Sequence, residues 1–300
     1  MTSTFDWNGR NDGTAVSHRR IFQVTNQSDS ANFALIGFSS DEGVQRNKGR
    51  IGAADAPNAI RKQLANLPVH QPISIADYGD VICENGLLEQ AQARLADQVA
   101  QSLAQGQHPI VLGGGHEVAF GSFSGLFQYL QKHEPEKNIG IINFDAHFDL
   151  REAEQASSGT PFLQAAQLSE QNAKPFHYLC IGVAKHANTK FLFETAARLN
   201  CEYIYDRDVH ILQVDSVFEK VSRFIEKVDY LYITIDLDVF SSSIAPGVSA
   251  PAVKGIDLTV FDPILQLIKR SEKIKVLDIA ECNPIFDLDH KTAKLAAYII

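Results

Sequence analysis

A chain of 300 residues, 45% hydrophobic and 21% charged, has the composition of a folded domain, and its length admits one large α/β domain or two small ones. A formal charge of −9 without a basic block argues against a nucleic-acid surface, and no apolar run approaches the roughly 20 residues that span a bilayer. The four cysteines (Cys83, Cys180, Cys201, Cys282) form no CxxC pair and the N-terminus has no basic-then-apolar signal pattern, so a reducing, cytoplasmic setting is expected.

Short apolar runs alternate with helical patterns. A strand is expected over 32–38 and a helix over 55–67, with Asp55 as N-cap and Pro57 in its first turn. A helix over 86–106 ends at Gly106, a strand over 108–115 runs into three glycines, and 118–132 is helical in pattern despite its own glycines. Strands follow at 138–144, 177–183, 201–206, 230–235 and 275–281, with helices at 188–200, 214–228 and 258–272. No linker, repeat or low-complexity tract interrupts the series. Residues 1–300 are therefore expected to form one domain, with 1–30 as an N-terminal extension packing on it. The alternation predicts a central parallel sheet with helices on both faces, and a ligand site at the carboxyl ends of the strands.

Three polar clusters fall at such ends. His116 follows Gly113–Gly115; alone, a histidine there is ordinarily structural. Asp145, His147 and Asp149 follow a strand at every second position and would share one side of an extended chain. Asp236 and Asp238 end another apolar strand with the same spacing. Charges at a core edge are costly unless compensated. Four carboxylates and two imidazoles exceed the needs of one tetrahedral zinc and suit two divalent ions; oxygen-rich ligation favours Mn²⁺, with Fe²⁺, Co²⁺ and Ni²⁺ as alternatives. Two ions about 3.5–4 Å apart can hold a hydroxide and bring its pKa toward neutral.

The motifs "GGGH", "FDAHFD", "IDLDVF…APGVSAP" and "LDIAECNP", in this order, resemble the ureohydrolase family of arginases, agmatinases and formimidoylglutamases. The resemblance runs from about residue 32 to the C-terminus. It implies a three-layer α/β/α fold with a central parallel sheet (arginase-like) and hydrolysis of C–N bonds in guanidino or formimino groups at two manganese ions per subunit. It also implies that His116, Asp149, Asp145 and Asp236 hold one ion, and His147, Asp238, Asp145 and Asp236 the other. Glu281 would then bind the amidine nitrogens, a planar cation that pairs well with carboxylate. Homo-oligomers are common in that family; the sequence does not set the oligomeric state.

"GGGHE" in place of "GGDHS", together with "WNGRND" and "GVQRNKGRIGAADAPNAIR", is most similar to the formimidoylglutamase branch. That implies conversion of N-formimidoyl-L-glutamate and water to L-glutamate and formamide in histidine degradation. The metal-bridging hydroxide would be the nucleophile, and Asp149 would relay its proton to the leaving nitrogen. A dicarboxylate substrate needs cations, so Arg151, two residues beyond Asp149, is a candidate, with Arg46 and Arg50 behind it. Ser157, Ser158 and Thr160 are candidate hydroxyl donors. Phe162 stands where arginases carry a proton-shuttling histidine. The rival readings are an agmatinase or guanidinobutyrase and a catalytically silent metal-binding interaction protein.

Overall fold

The apolar runs become neighbours in one eight-stranded sheet in the computed structural model, which describes residues 5–13, 15–28 and 30–300. The elements in chain order are β1 (Phe33–Ser39), α1 (Glu42–Arg46), α2 (Ala56–Leu64), β2 (Ile75–Ile82), α3 (Leu88–Ala104), β3 (His108–Leu112), α4 (Val118–His133) and β4 (Ile139–Phe144). Then come α5 (Pro161–Gln171), β5 (His177–Val183), α6 (Lys190–Arg198), β6 (Glu202–Tyr205), α7 (Val214–Glu226), β7 (Tyr230–Asp236), α8 (Leu258–Lys269), β8 (Ile274–Ala280) and α9 (Lys291–Ile299). The sheet order is β2-β1-β3-β8-β7-β4-β5-β6, and every pairing is parallel.

Alternate strand residues feed two separate cores, because successive side chains leave opposite faces of the pleat. Leu35, Ile142, Ile233 and Ile279 pack with residues of α2, α7, α8 and α9, whereas Ile36, Val111, Ile141 and Tyr232 pack with α3, α4, α5 and α6. The arrangement is the expected three-layer α/β/α fold. Every residue of β4 is buried, which is why that strand reads as a continuous apolar run. The glycines of α4 have a packing role. A Cβ at Gly121 would sit 2.7 Å from Leu95 Cδ2, and one at Gly125 2.7 Å from Ala96 O, so α3 and α4 meet closely because both positions are bare.

β2 and α5 lie outside the expected series, and one expected cap differs. β2 is absent from the sequence reading because its centre, Asp77 to Asp80, is polar. Those carboxylates serve Arg61 of α2, which is fully buried and bonds Asp77 Oδ1 at 2.9 Å, Asp77 Oδ2 at 3.0 Å and also Asp80. The stretch after Thr160 is a helix, α5, started by Pro161. Asp55 does occupy the N-cap position of α2, but its side chain caps nothing, since a 3₁₀ turn over Ala53–Asp55 runs directly into the helix. Of the N-terminal segment 1–30, residues 1–4, 14 and 29 lie outside the described residues. Trp7 Nε1 donates to Asp77 Oδ2 at 2.8 Å and Arg10 N to Asn66 Oδ1 at 2.9 Å. Among the described residues no helix is long and apolar enough to cross a membrane.

Arg61→Met leaves two buried carboxylates without their cation. It is expected to cost about 3–5 kcal/mol, read as a lower urea midpoint at unchanged m. A loss below ~1 kcal/mol would show that the ion cluster contributes little.

Candidate metal centre

The chain crosses back to the sheet centre with β7 and β8, so β3, β8, β7 and β4 are four consecutive strands. Strands lie about 4.8 Å apart, and four neighbouring carboxyl ends therefore fall within roughly 15 Å. Each end delivers a polar segment: His116 beyond β3, Glu281 beyond β8, Asp236 and Asp238 at β7, and Asp145 to Asp149 beyond β4.

Local conformation then aims the side chains. β4 stops at Phe144, and residues 145–149 form a bent loop rather than the extended chain expected, with Asp149 left-handed at φ 48°. A carboxylate held in that conformation by its surroundings marks a place where backbone strain is tolerated for the sake of the site. Asp238 lies in a 3₁₀ turn over Leu237–Val239, with its N–H donating to Asp236 Oδ1 at 2.8 Å. Glu281 is left-handed at φ 67°, and its N–H donates to Gly114 O at 2.8 Å.

Two groups of side chains result. In the first, His116 Nδ1 lies 2.9 Å from Asp149 Oδ2, 3.1 Å from Asp145 Oδ2 and 3.2 Å from Asp236 Oδ2. In the second, His147 Nδ1 lies 3.2 Å from Asp238 Oδ2 and 3.4 Å from Asp145 Oδ1. Within each group the potential ligand atoms lie within 4.8 Å of one another. Asp145 belongs to both and turns one oxygen toward each. Asp236 falls in the first group, and its Oδ1 accepts from Asp238 N much as Asp145 Oδ1 accepts from His147 N.

The donor set fits a cation. His116 Nδ1 is buried among three carboxylate oxygens yet aligned with none for a hydrogen bond, and Asp238 Oδ1 is buried and unpartnered. With its proton on Nε2, 3.0 Å from Thr234 Oγ1, His116 presents a lone pair at Nδ1. Charge tells the same story. Burial pushes the Asp149, Asp236 and Asp238 carboxyls up, and repulsion from neighbouring carboxylates adds to it. Burial also opposes charge on His116 and His147, but the surrounding carboxylates hold both imidazoles protonated well above their usual range. Asp145 runs the other way: burial resists its ionisation, and the two imidazoles beside it overcome that. A buried cluster that gathers protons in this way lacks positive charge. Its four carboxylates, −4 in all, balance two divalent cations at +4.

A cavity of about 370 Å³ opens onto these groups, a size that suits a small ligand. Its lining includes the buried His116, Asp236, Asp238 and Glu281 with the half-buried His147 and Asp149, and also the exposed Lys48 and Arg151, the half-buried Arg50, and Ser158. Burial pushes Glu281 up to about 8, with Glu117 adding to the shift. Glu281 Oε1 accepts from His116 N at 2.9 Å, while Oε2 is buried and unpartnered.

Other candidates lie elsewhere. Arg46 bonds Glu42, Glu89, Gly86 O and Ala156 O and does not line the cavity. Thr160 and Ser157 bond each other within their turn. Phe162 is buried edge-on against the His116 ring, with centroids 5.3 Å apart, and is also outside the lining.

Several supporting residues escaped the sequence reading. Asn143 donates to Asp145 Oδ2 and Tyr178 OH, both at 3.0 Å. Asn188 donates to Ala146 O at 2.8 Å and accepts from Phe148 N at 3.0 Å, bracing the ligand loop. The only local signal was a polar Asn143 inside an apolar strand; Asn188 had none.

The Arginase family model matches residues 31–300. The chain belongs to the arginase family. Among its relatives, a formimidoylglutamase of Aeromonas salmonicida is 48% identical over 268 residues, covering 89% of this chain and 84% of that protein. One of Vibrio vulnificus is 46% identical and covers 99% and 93%. A solved Trypanosoma cruzi formiminoglutamase, described with Mn²⁺, shares the fold at a TM-score of 0.82 and 24% identity over 94% of this chain and 95% of that one. A Bacillus subtilis formimidoylglutamase gives 0.80 and 20% over 99% and 92%. Membership in the arginase family and the two ligand groups together mark a metal cofactor.

Stripping divalent cations with EDTA is expected to lower the thermal midpoint of this arginase-family chain. Restoring a cation at a hundredfold excess over Kd should add about 2.7 kcal/mol per site. Calorimetry checks this, and a midpoint indifferent to chelator and metal would remove the cation from the site.

Proposed function

We propose that this chain hydrolyses N-formimidoyl-L-glutamate to L-glutamate and formamide, a step of histidine degradation, with two Mn²⁺ as cofactor. The observation that carries this is the polarity of one cavity: carboxylates on the floor, with Lys48, Arg50 and Arg151 in the same lining. A substrate with a cationic amidine at one end and carboxylates at the other matches both. The formimidoylglutamases at 46–49% identity support the same reading. An agmatine-like substrate would place an amine among those cations.

His116, Asp145, Asp149 and Asp236 would hold one ion, and His147, Asp238, Asp145 and Asp236 the other. Bound there, the ions would acidify a water molecule and offset negative charge. The remaining chemistry belongs to the side chains. The unpartnered Glu281 Oε2 accepts an N–H of the amidinium and orients its carbon toward the floor. Arg151 is exposed at the cavity and pairs with a substrate carboxylate. The Arg50 guanidinium is steadied by Ser249 O at 3.0 Å and by stacking over Phe286 at 4.2 Å, and supplies fixed charge beside it. Water adds to the formimino carbon. Asp149 accepts the water's proton and returns it to the glutamate nitrogen as that C–N bond breaks, leaving formamide and the free amine.

The decisive assay offers N-formimidoyl-L-glutamate, agmatine and arginine to the manganese-loaded protein and quantifies formamide, ammonia and urea. Formamide from the first substrate alone is expected. Urea from a guanidino substrate refutes the assignment, and no turnover at all favours a silent metal-binding protein. Asp149→Asn is expected to lower kcat at least ~100-fold. A near-normal rate with cations retained would remove Asp149 from the proton path.

A further inference from the structure

Glu117 follows His116 directly, and the reaction as derived leaves it no part. Its side chain is fully buried, and it does not line the cavity. Its Oε1 accepts two hydrogen bonds from one distant segment, from Ser40 Oγ and from Gly43 N, both at 2.9 Å. Two glycines are shaped around it: a Cβ at Gly43 would lie 2.5 Å from Glu117 Cδ, and one at Gly115 2.1 Å from Glu117 Oε2. A second strut runs alongside, with Gly115 N donating to Ser40 O at 2.9 Å.

The segment held in this way continues into the cavity. Gly43 lies in the first turn of α1. Past its end the chain turns back with Lys48 at φ 61°, Lys48 N donating to Gln45 O at 3.0 Å and Gly49 N to Val44 O at 2.8 Å. Asn47, Lys48, Gly49 and Arg50 all line the cavity. Asn47 Nδ2 reaches Ser158 Oγ at 3.2 Å, and Arg50 N reaches Ser249 Oγ at 3.1 Å, so this stretch ties neighbouring loops together as well. A helix of five residues cannot hold its own position, because so short a helix is marginal without tertiary support. The buried acceptor at its start supplies that support.

We propose that Glu117 is a positioning residue: its carboxyl couples the turn that carries His116 to the Ser40–Arg50 segment. It thereby sets the cationic wall of the cavity at a fixed distance from the ligand floor. The effect on substrate carboxylates rests on the function proposed above; the mechanical coupling does not. Removing the acceptor leaves a buried hydroxyl and a buried N–H unpaired, and α1 then shifts or frays to satisfy them.

The test compares Glu117→Ala, Glu117→Gln and Ser40→Ala in the manganese-loaded full chain. Glu117→Ala is expected to raise KM for N-formimidoyl-L-glutamate ~10-fold or more with kcat within ~3-fold, the pattern of weakened binding with chemistry intact. Bound metal should stay at the wild-type content, and amide exchange over residues 40–50 should speed up ~10-fold or more. Glu117→Gln keeps an oxygen acceptor and should return KM and exchange to within ~3-fold of wild type. Ser40→Ala removes one donor and should raise KM about 3-fold. It also serves as the folded variant should Glu117→Ala fail to fold.

Unchanged KM and exchange in either alanine variant overturns the proposal, as does loss of metal without faster exchange at 40–50. Wild-type protein that releases urea from a guanidino substrate instead refutes the formimino assignment. The KM comparison is then made on that substrate, and exchange at 40–50 decides the coupling even without turnover.

Discussion

Asp145→Asn is expected to lower kcat/KM by at least ~1,000-fold, the upper end of the cost of one lost electrostatic contact at a reacting centre. The reason is geometric. Asp145 is the one carboxylate that belongs to both groups, with Oδ2 toward His116 and Oδ1 toward His147. The amide keeps the volume and still offers an oxygen to one side, but it turns N–H donors toward the other, where a cation would sit. Bound metal should fall below the wild-type content. Elemental analysis and turnover are measured together, with far-UV circular dichroism to show that the fold survives. Full metal content with a wild-type rate would remove Asp145 from its bridging place. Asn143 and the backbone N–H of His147 also bond this carboxylate, at 3.0 and 2.6 Å, so the substitution perturbs its supports as well, and some loss of thermal stability accompanies it.

Glu281→Gln should lower kcat/KM ~100–1,000-fold while metal content stays at the wild-type level. Glu281 Oε1 is already used by His116 N, and an amide oxygen can make that bond equally well. Burial holds the Glu281 carboxyl up at about 8, so what the substitution deletes is the charge that a bound amidinium would draw out by pulling that value down. A planar amidinium gains from a charged acceptor about twice what it gains from a neutral one, and more in a site closed to water. Loss of metal together with activity would make Glu281 a structural support of the His116 turn instead. Unaltered kinetics would place the amidine elsewhere. Together the two substitutions separate the floor that holds cations from the group that holds substrate.

Much of this was legible in the chain alone. The seven apolar strands, their alternation with helices, and the six clustered Asp and His side chains are local patterns, because strand burial and ligand spacing are written in residues a few positions apart. The same local reading fails at β2, where Asp77 and Asp80 break the apolar run to meet Arg61 from another element. It also fails for Arg46, whose nearness to Arg50 in sequence suggested a shared role. One turn of helix sends Arg46 to Glu42 and Glu89, and Arg50 into the cavity.

The amino-acid sequence by itself determined seven of the eight strands and which side chains bring charge to their carboxyl ends, since both follow from periodicity and from the cost of stranded charge at a core edge. Only the tertiary structure decided how those ends meet. Crossover connections place β3, β8, β7 and β4 side by side, and they bring Glu281 to His116 across 165 positions of chain. The turns after β4 and β7 then aim Asp145 at both imidazoles and fold Asp238 back toward Asp236. Glu117, Asn188 and Thr234 act on partners remote in sequence, and contacts of that kind leave no periodic trace in the segment that makes them.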